Sequence, residues 1–188
     1  RIFILFIFPF ILGGLTFLSF SPFNLFFINA VSLSVLFYLI FYVKKKTQSS
    51  YRKKPFLKNL FYLGSSFGFS FFLFGIYWIS HSLTFDDSFK FLIPFAIIFI
   101  PLFLSLFFSI PIMLIGNYIS LKISSVILIS VLFTISDFVR SFILTGFPWN
   151  IWAYSLFWSP ESLQILYHIG IFSFNLIVIT LLFLPAII

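Results

Sequence analysis

"ISSVILISVLFTISDFVRSFILTGFPWNIWAYS" (residues 123–155) decides how the whole chain is to be read. Its first part, from about Ile123 to Leu144, is an apolar run of the length a helix needs to cross the roughly 30 Å of bilayer hydrocarbon. Near the end of that run stand an acid, Asp137, and a base, Arg140, three residues apart. A Gly-Phe-Pro-Trp turn and two more large aromatics follow directly. A charge alone in hydrocarbon costs roughly 2.5–3.5 kcal/mol on insertion scales, so the pair needs a structural or functional reason.

Apolar runs of similar length recur outward from this stretch. The chain has 188 residues, of which 62% are hydrophobic and only 8% charged, against about 25% charged in an ordinary soluble domain. A soluble protein of this size cannot hide so much apolar surface, so the reading is an all-α, multi-pass membrane protein. The 34 phenylalanines beside only four alanines and three arginines reflect an AT-rich composition, with Phe and Ile filling lipid-facing positions, and carry no function by themselves. Cysteine is absent, which excludes a disulfide, a thiolate metal site and a cysteine nucleophile within these residues. No metal, cofactor or catalytic residue is expected here. The first residue is Arg1 and the last, Ile188, falls inside an apolar run, so the chain reads as a segment of a longer protein. The opening run lacks a small-residue cleavage site and is not a signal peptide.

Residues 1–188 form a single transmembrane domain with about six spans: 2–20, 25–43, 60–80, 91–115, 123–144 and 163–188. Pro94, Pro101 and Pro111 predict kinks in the fourth. Of the eleven basic residues, nine fall on one side if the helices alternate. They are Arg1, the cluster Lys44, Lys45, Lys46, Arg52, Lys53, Lys54 and Lys58, and Lys122. That asymmetry predicts a cytoplasmic N-terminus, with the loops after spans one, three and five on the outer side. The basic loop is a topology determinant at lipid headgroups; no nucleic-acid module surrounds it.

This orientation puts Trp78, Trp149, Trp152 and Trp158 together on the outer side. A plain interfacial belt would use both faces, so the outer face looks specialised. "GSSFG" (64–68) places Gly64 and Gly68 on one stripe with Gly75, a signal for close helix packing. His81 and His168 read as solvated interfacial residues.

Asp137 and Arg140 share one helix face. Two compatible readings stand. The pair pins span five against a neighbour or holds the next loop; or Arg140 docks a phosphate near the outer leaflet, with Asp137 fixing its rotamer. Gly146 and Pro148 then break the helix, and "PWNIWAY" becomes a re-entrant or surface-lying aromatic loop on the outer side.

"FVRSFILTGFPWNIWAY" (138–154), "LTFLSFSPFNLF" (15–26) and "GFSFFLFGIYWISHSL" (68–83) resemble, in order and spacing, the membrane domain of bacterial apolipoprotein N-acyltransferases. This chain departs from the family pattern in carrying Asp137 for the usual Glu, Ser141 for Gly and Ala153 for Gly. The resemblance implies a bacterial inner-membrane enzyme of eight spans, with a nitrilase-like domain outside the cytoplasm. Such enzymes move an acyl chain from a phospholipid to the N-terminal amino group of a diacylglyceryl-cysteine lipoprotein, through a cysteine thioester assisted by Glu and Lys. The present chain would hold none of that triad and would be the lipid-holding platform, with Arg140, Trp149, Tyr154 and Trp78 lining the lipid-binding region. Asp137, Gly146, Pro148, Gly64 and Gly68 would give structural support. A stand-alone transporter subunit is the rival, but its midplane would need polar groups, and Asn29 and Asn175 are the main candidates. A non-catalytic membrane scaffold is the other.

Overall fold

The computed structural model describes residues 1–48, 56–143, 149–156 and 160–188, and among them every regular element is helical. A π-helical turn (Phe3–Ile7) runs into α1 (Phe8–Leu15) and a 3-10 turn (Thr16–Ser19). Then come α2 (Phe27–Gln48), α3 (Phe56–Ile76), 3-10 helices Tyr77–Thr84 and Asp87–Leu92, α4 (Ile93–Leu104), α5 (Leu106–Ile115) and α6 (Ile123–Phe142). A 3-10 helix (Trp152–Leu156), α7 (Pro160–Ile169), α8 (Ile171–Phe183) and a closing 3-10 turn (Leu184–Ala186) complete the order. Among the described residues four helical stretches, Phe27–Thr47, Phe56–Thr84, Asp87–Ile115 and Ile123–Phe142, are long and apolar enough to cross a membrane; Phe3–Ser19 and Ile171–Ala186 are shorter apolar helices.

These stretches overlap the runs read from the sequence, with one difference in kind. The stretch expected as one helix from Leu163 is two, α7 and α8, because Gly170 between them takes φ 76°. Only glycine enters that region without steric cost.

α3 is the hub, packed against α1, α2, α4 and α5, while α6 bridges α5 to α8, and α8 returns to α2. Small residues permit the close approaches. A Cβ on Gly64 would stand 2.7 Å from the Cα of Ser109, and one on Gly68 2.9 Å from the Cβ of Phe108. Beside them the hydroxyls of Ser65 and Ser109 hydrogen-bond at 2.7 Å, joining α3 to α5. The core at this contact is aromatic. Phe71, on α3, meets Phe108 at 5.1 Å between centroids and Trp152 at 4.9 Å. Phe108 also meets Phe133, which meets Phe183, which meets Phe37. Phenylalanine therefore fills this interior as well as lipid-facing positions.

The α4–α5 stretch is interrupted at Ser105, between Pro101 and Pro111, each of which stands inside its helix. Pro111 has no N–H for the carbonyl four residues back, that of Phe107. The Ser136 hydroxyl of α6 donates to this carbonyl at 2.6 Å, so the proline exposes an acceptor and the neighbouring helix takes it. At the basic end, Lys44 Nζ donates to the carbonyls of Asn117 and Ile119 at 2.7 and 2.9 Å, tying α2 to the α5–α6 link.

Because the α3–α5 contact runs over bare glycine, Gly68→Ala should overpack it and cost about 1–3 kcal/mol. Thermal unfolding in detergent measures this; an unshifted midpoint would show that α3 and α5 part without strain.

Candidate functional site

Helix α6 presents Asp137 and Arg140 on one face, turned inward: Arg140 is 1% exposed and Asp137 6%. Arg140 Nη2 donates to Asp137 Oδ1 at 2.8 Å, and Asp137 Oδ2 accepts from Asn175 Nδ2 of α8 at 2.9 Å. Two further bonds leave this trio for the loop after α6. Arg140 Nη1 donates to the carbonyl of Trp149 at 2.6 Å, and Asn175 Oδ1 accepts from the backbone N–H of Ala153 at 3.0 Å. The ring of Phe72, on α3, lies 5.1 Å from the guanidinium carbon. One network thus joins α6, α8 and both ends of a five-residue loop segment. A non-helical backbone within a membrane protein must have its polar groups satisfied internally, and these side chains do that here.

The loop itself turns into the bundle. Asn150 takes φ 56°, a left-handed conformation that Asn tolerates better than most residues. The missing side chain of Gly75 leaves the space that the Asn150 amide occupies. Ile151, Trp152 and Ala153 are then buried, and Ser155 closes the 3-10 turn by donating to the Trp152 carbonyl at 2.7 Å. Residues 151–153 are thus packed into the bundle and do not lie on its surface. Trp152, grouped by topology with the other tryptophans, stands in the aromatic core, because the network draws the backbone beside it inward.

Above the buried network lies an aromatic rim. Trp78 and Trp149 are 45% and 44% exposed and meet edge to face at 5.2 Å. Tyr154 is half-buried against the core. Burial pushes its phenol up from the ordinary value, with the Arg140 charge pulling the other way. The four residues expected to line a lipid site therefore stand at two levels. Trp78 and Trp149 reach the surface, while Arg140 is enclosed and bonded to protein groups. Gly64 and Gly68 act at the α3–α5 contact below; Gly146 and Pro148 lie outside the described residues, as does Trp158. Helix α6 ends at Phe142, ahead of both expected breakers.

The surrounding polar groups are simpler. His81 and His168 are exposed. Asp86 is held below the usual carboxylate range by the side-chain and backbone donors of Ser88. Among the described residues no three of His, Cys, Asp and Glu gather as metal ligands. Asn29 is buried and its amide makes no hydrogen bond among the described residues. Asn175, which sequence reading named only as a midplane candidate for a transporter, is the site residue it did not connect to the Asp137–Arg140 pair. An amide inside an apolar helix was the available signal, but nothing in its own segment names Asp137 as its partner.

Removing Arg140 should leave the Asp137 carboxylate buried without its cation, so Arg140→Ala is expected to cost about 3–5 kcal/mol. Arg140→Ala with Asp137→Asn should cost less than the two single changes together. Strict additivity in unfolding measurements would mean that the pair is not coupled.

The chain matches the family model described as apolipoprotein N-acyltransferase N-terminal domain over residues 12–184. It is 29% identical to the apolipoprotein N-acyltransferase of Sinorhizobium medicae over 181 residues, covering 95% of this chain and 34% of that protein. It is also 29% identical to the Brucella suis apolipoprotein N-acyltransferase over 178 residues, covering 94% of this chain and 33% of that protein. An Allorhizobium ampelinum relative of the same name is 27% identical over 93% of this chain and 33% of its own length. The chain thus spans about a third of the length of these relatives. With its apolar helices and this match across nearly all its residues, it is a multi-pass membrane protein and belongs to the apolipoprotein N-acyltransferase family, through the family's N-terminal domain.

Proposed function

We propose that this chain is the membrane platform of an apolipoprotein N-acyltransferase, an enzyme that transfers an acyl chain from a phospholipid to the N-terminal amine of diacylglyceryl-cysteine lipoproteins. Residues 1–188 act as one membrane domain in the bacterial inner membrane, N-terminus in the cytoplasm, and the reacting groups come from elsewhere in the full-length protein. The observation that carries the reading is the tethered loop: Arg140 and Asn175 hold Trp149 and Ala153, and Trp149 meets Trp78 at an exposed rim. Such a rim offers flat apolar faces to acyl and glyceryl carbons, with ring N–H groups able to meet ester oxygens. The family relationship supplies the substrate class.

Within this reading the rim residues contact lipid, and Arg140 and Asp137 are positioning residues that hold the rim in place. Tyr154 packs beside the loop and steadies the same surface. The transporter reading finds little support. The buried polar trio is spent on loop backbone, and the fold shows exposed aromatic surface at one end.

The experiment is acyl transfer by the full-length protein. Trp78→Ala and Trp149→Ala should each lower transfer severalfold while leaving the unfolding midpoint nearly unchanged, since both rings are about half exposed. Normal transfer with both rings removed would sink the lipid-rim assignment. Arg140→Ala should lower transfer together with stability, and a loss of transfer at full stability would instead make Arg140 a direct substrate contact.

A further inference from the structure

Two apolar grooves lie side by side along α3. One, of about 490 Å³, runs between α3 and the first apolar helix (Phe3–Ser19), with Phe6 and Phe10 on its wall. The other, of about 500 Å³, runs between α3 and α4, with Phe99 and Phe103 on its wall. Tyr62, Ser65 and Leu102 line both, so the grooves meet along one seam. The hydroxyls there are turned to protein partners. Ser65 and Ser109 hydrogen-bond to each other at 2.7 Å, and Ser66 donates to the Phe6 carbonyl at 2.6 Å. Apart from the Tyr62 phenol, the surface left for an occupant is apolar.

A cation stands at the head of this seam. Lys58, one turn from Tyr62 toward the basic end, places its Nζ 5.7 Å from the centroid of the Tyr62 ring. An aromatic face holds an ammonium without cancelling its charge. The chain's four acidic side chains, Asp86, Asp87, Asp137 and Glu161, belong to other segments, and none stands among the described lining of either groove. Two apolar grooves that converge beneath one cation match a lipid with two chains and one anionic phosphate. A helix laid against them would meet Lys58 with apolar side chains, whereas a phospholipid meets it with a charge of opposite sign. We propose that the grooves hold one anionic diacyl phospholipid of the leaflet on the basic side, a chain in each groove and the phosphate at Lys58. It is a resident lipid, separate from any acyl donor. The site rests on the membrane reading of the fold and is independent of the acyl-transfer reading.

Native mass spectrometry of the purified full-length protein tests this, with titrations of phosphatidylglycerol, phosphatidylcholine of identical chains, and single-chain lysophosphatidylglycerol. One phosphatidylglycerol should bind, about fivefold more tightly than phosphatidylcholine given one basic contact. It should bind at least about tenfold more tightly than the single-chain lipid, which leaves one groove empty. Lys58→Gln should erase the headgroup preference and Lys58→Arg should keep it. Lys45→Gln, which removes an exposed charge at the same end, should leave it intact. Leu102→Trp, which adds bulk at the seam, should weaken both diacyl lipids severalfold; Ile127→Trp, on the exposed face of α6, should weaken neither. A preference that survives Lys58→Gln, or that falls equally in Lys45→Gln, would mean diffuse charge attraction and overturn the site. Equal binding of the single-chain lipid would overturn the two-groove assignment. Binding unchanged by Leu102→Trp would put the lipid elsewhere, and no bound lipid at all would mean that another segment or a second copy covers the grooves; either result overturns the proposal.

Discussion

Everything at the tethered-loop end of this bundle depends on how one buried cation is satisfied. Arg140 is enclosed in a setting where an unpaired charge is costly, and its partners come from three directions. Asp137 neutralises it one turn away, Phe72 lies against its plane, and the Trp149 carbonyl takes a terminal N–H. The last contact ties the charge to the loop. Asn175 repeats the arrangement from α8, giving one hydrogen bond to Asp137 and accepting one from Ala153. The buried polar trio thereby turns a local electrostatic requirement into a fixed backbone path.

The aromatic core follows from that path. Once Ile151 and Trp152 are drawn inward, the indole meets Phe71 and Phe108 at the junction of α3 and α5. That junction is narrow because Gly64 and Gly68 carry no side chains where α5 crosses. Gly75, further along the same helix, leaves room for Asn150. A single face of α3 therefore accepts a helix at one level and a loop at the next. The result is a rim in which Trp149 is placed by its own carbonyl and met by Trp78.

Individual residues show why parts of this were readable in advance. The Asp137–Arg140 pair was conspicuous because charge is rare in the chain, and its i, i+3 spacing put both groups on one face. The glycine stripe was readable because small residues in an apolar helix serve few purposes besides close packing. Asn175 was not assignable, since its partner is 38 residues away and only the packing of α6 on α8 joins them. Trp152 was grouped with the other tryptophans because sequence position alone cannot separate a ring three residues past the rim from one on it.

The sequence by itself determined the class of the molecule: hydropathy and helix length require apolar helices, and basic residues gathered at one end mark its two faces. It also marked residues 137–155 as the unusual segment, since polar groups and helix breakers within a membrane chain carry a cost that must be offset locally. The tertiary structure alone decided which partners offset it. Whether Arg140 meets a lipid phosphate or a loop carbonyl depends on where Trp149 lies in space, and that follows from contacts between α6, α8 and α3. Hydrophobic periodicity acts along one helix, whereas hydrogen-bond partners are chosen between helices.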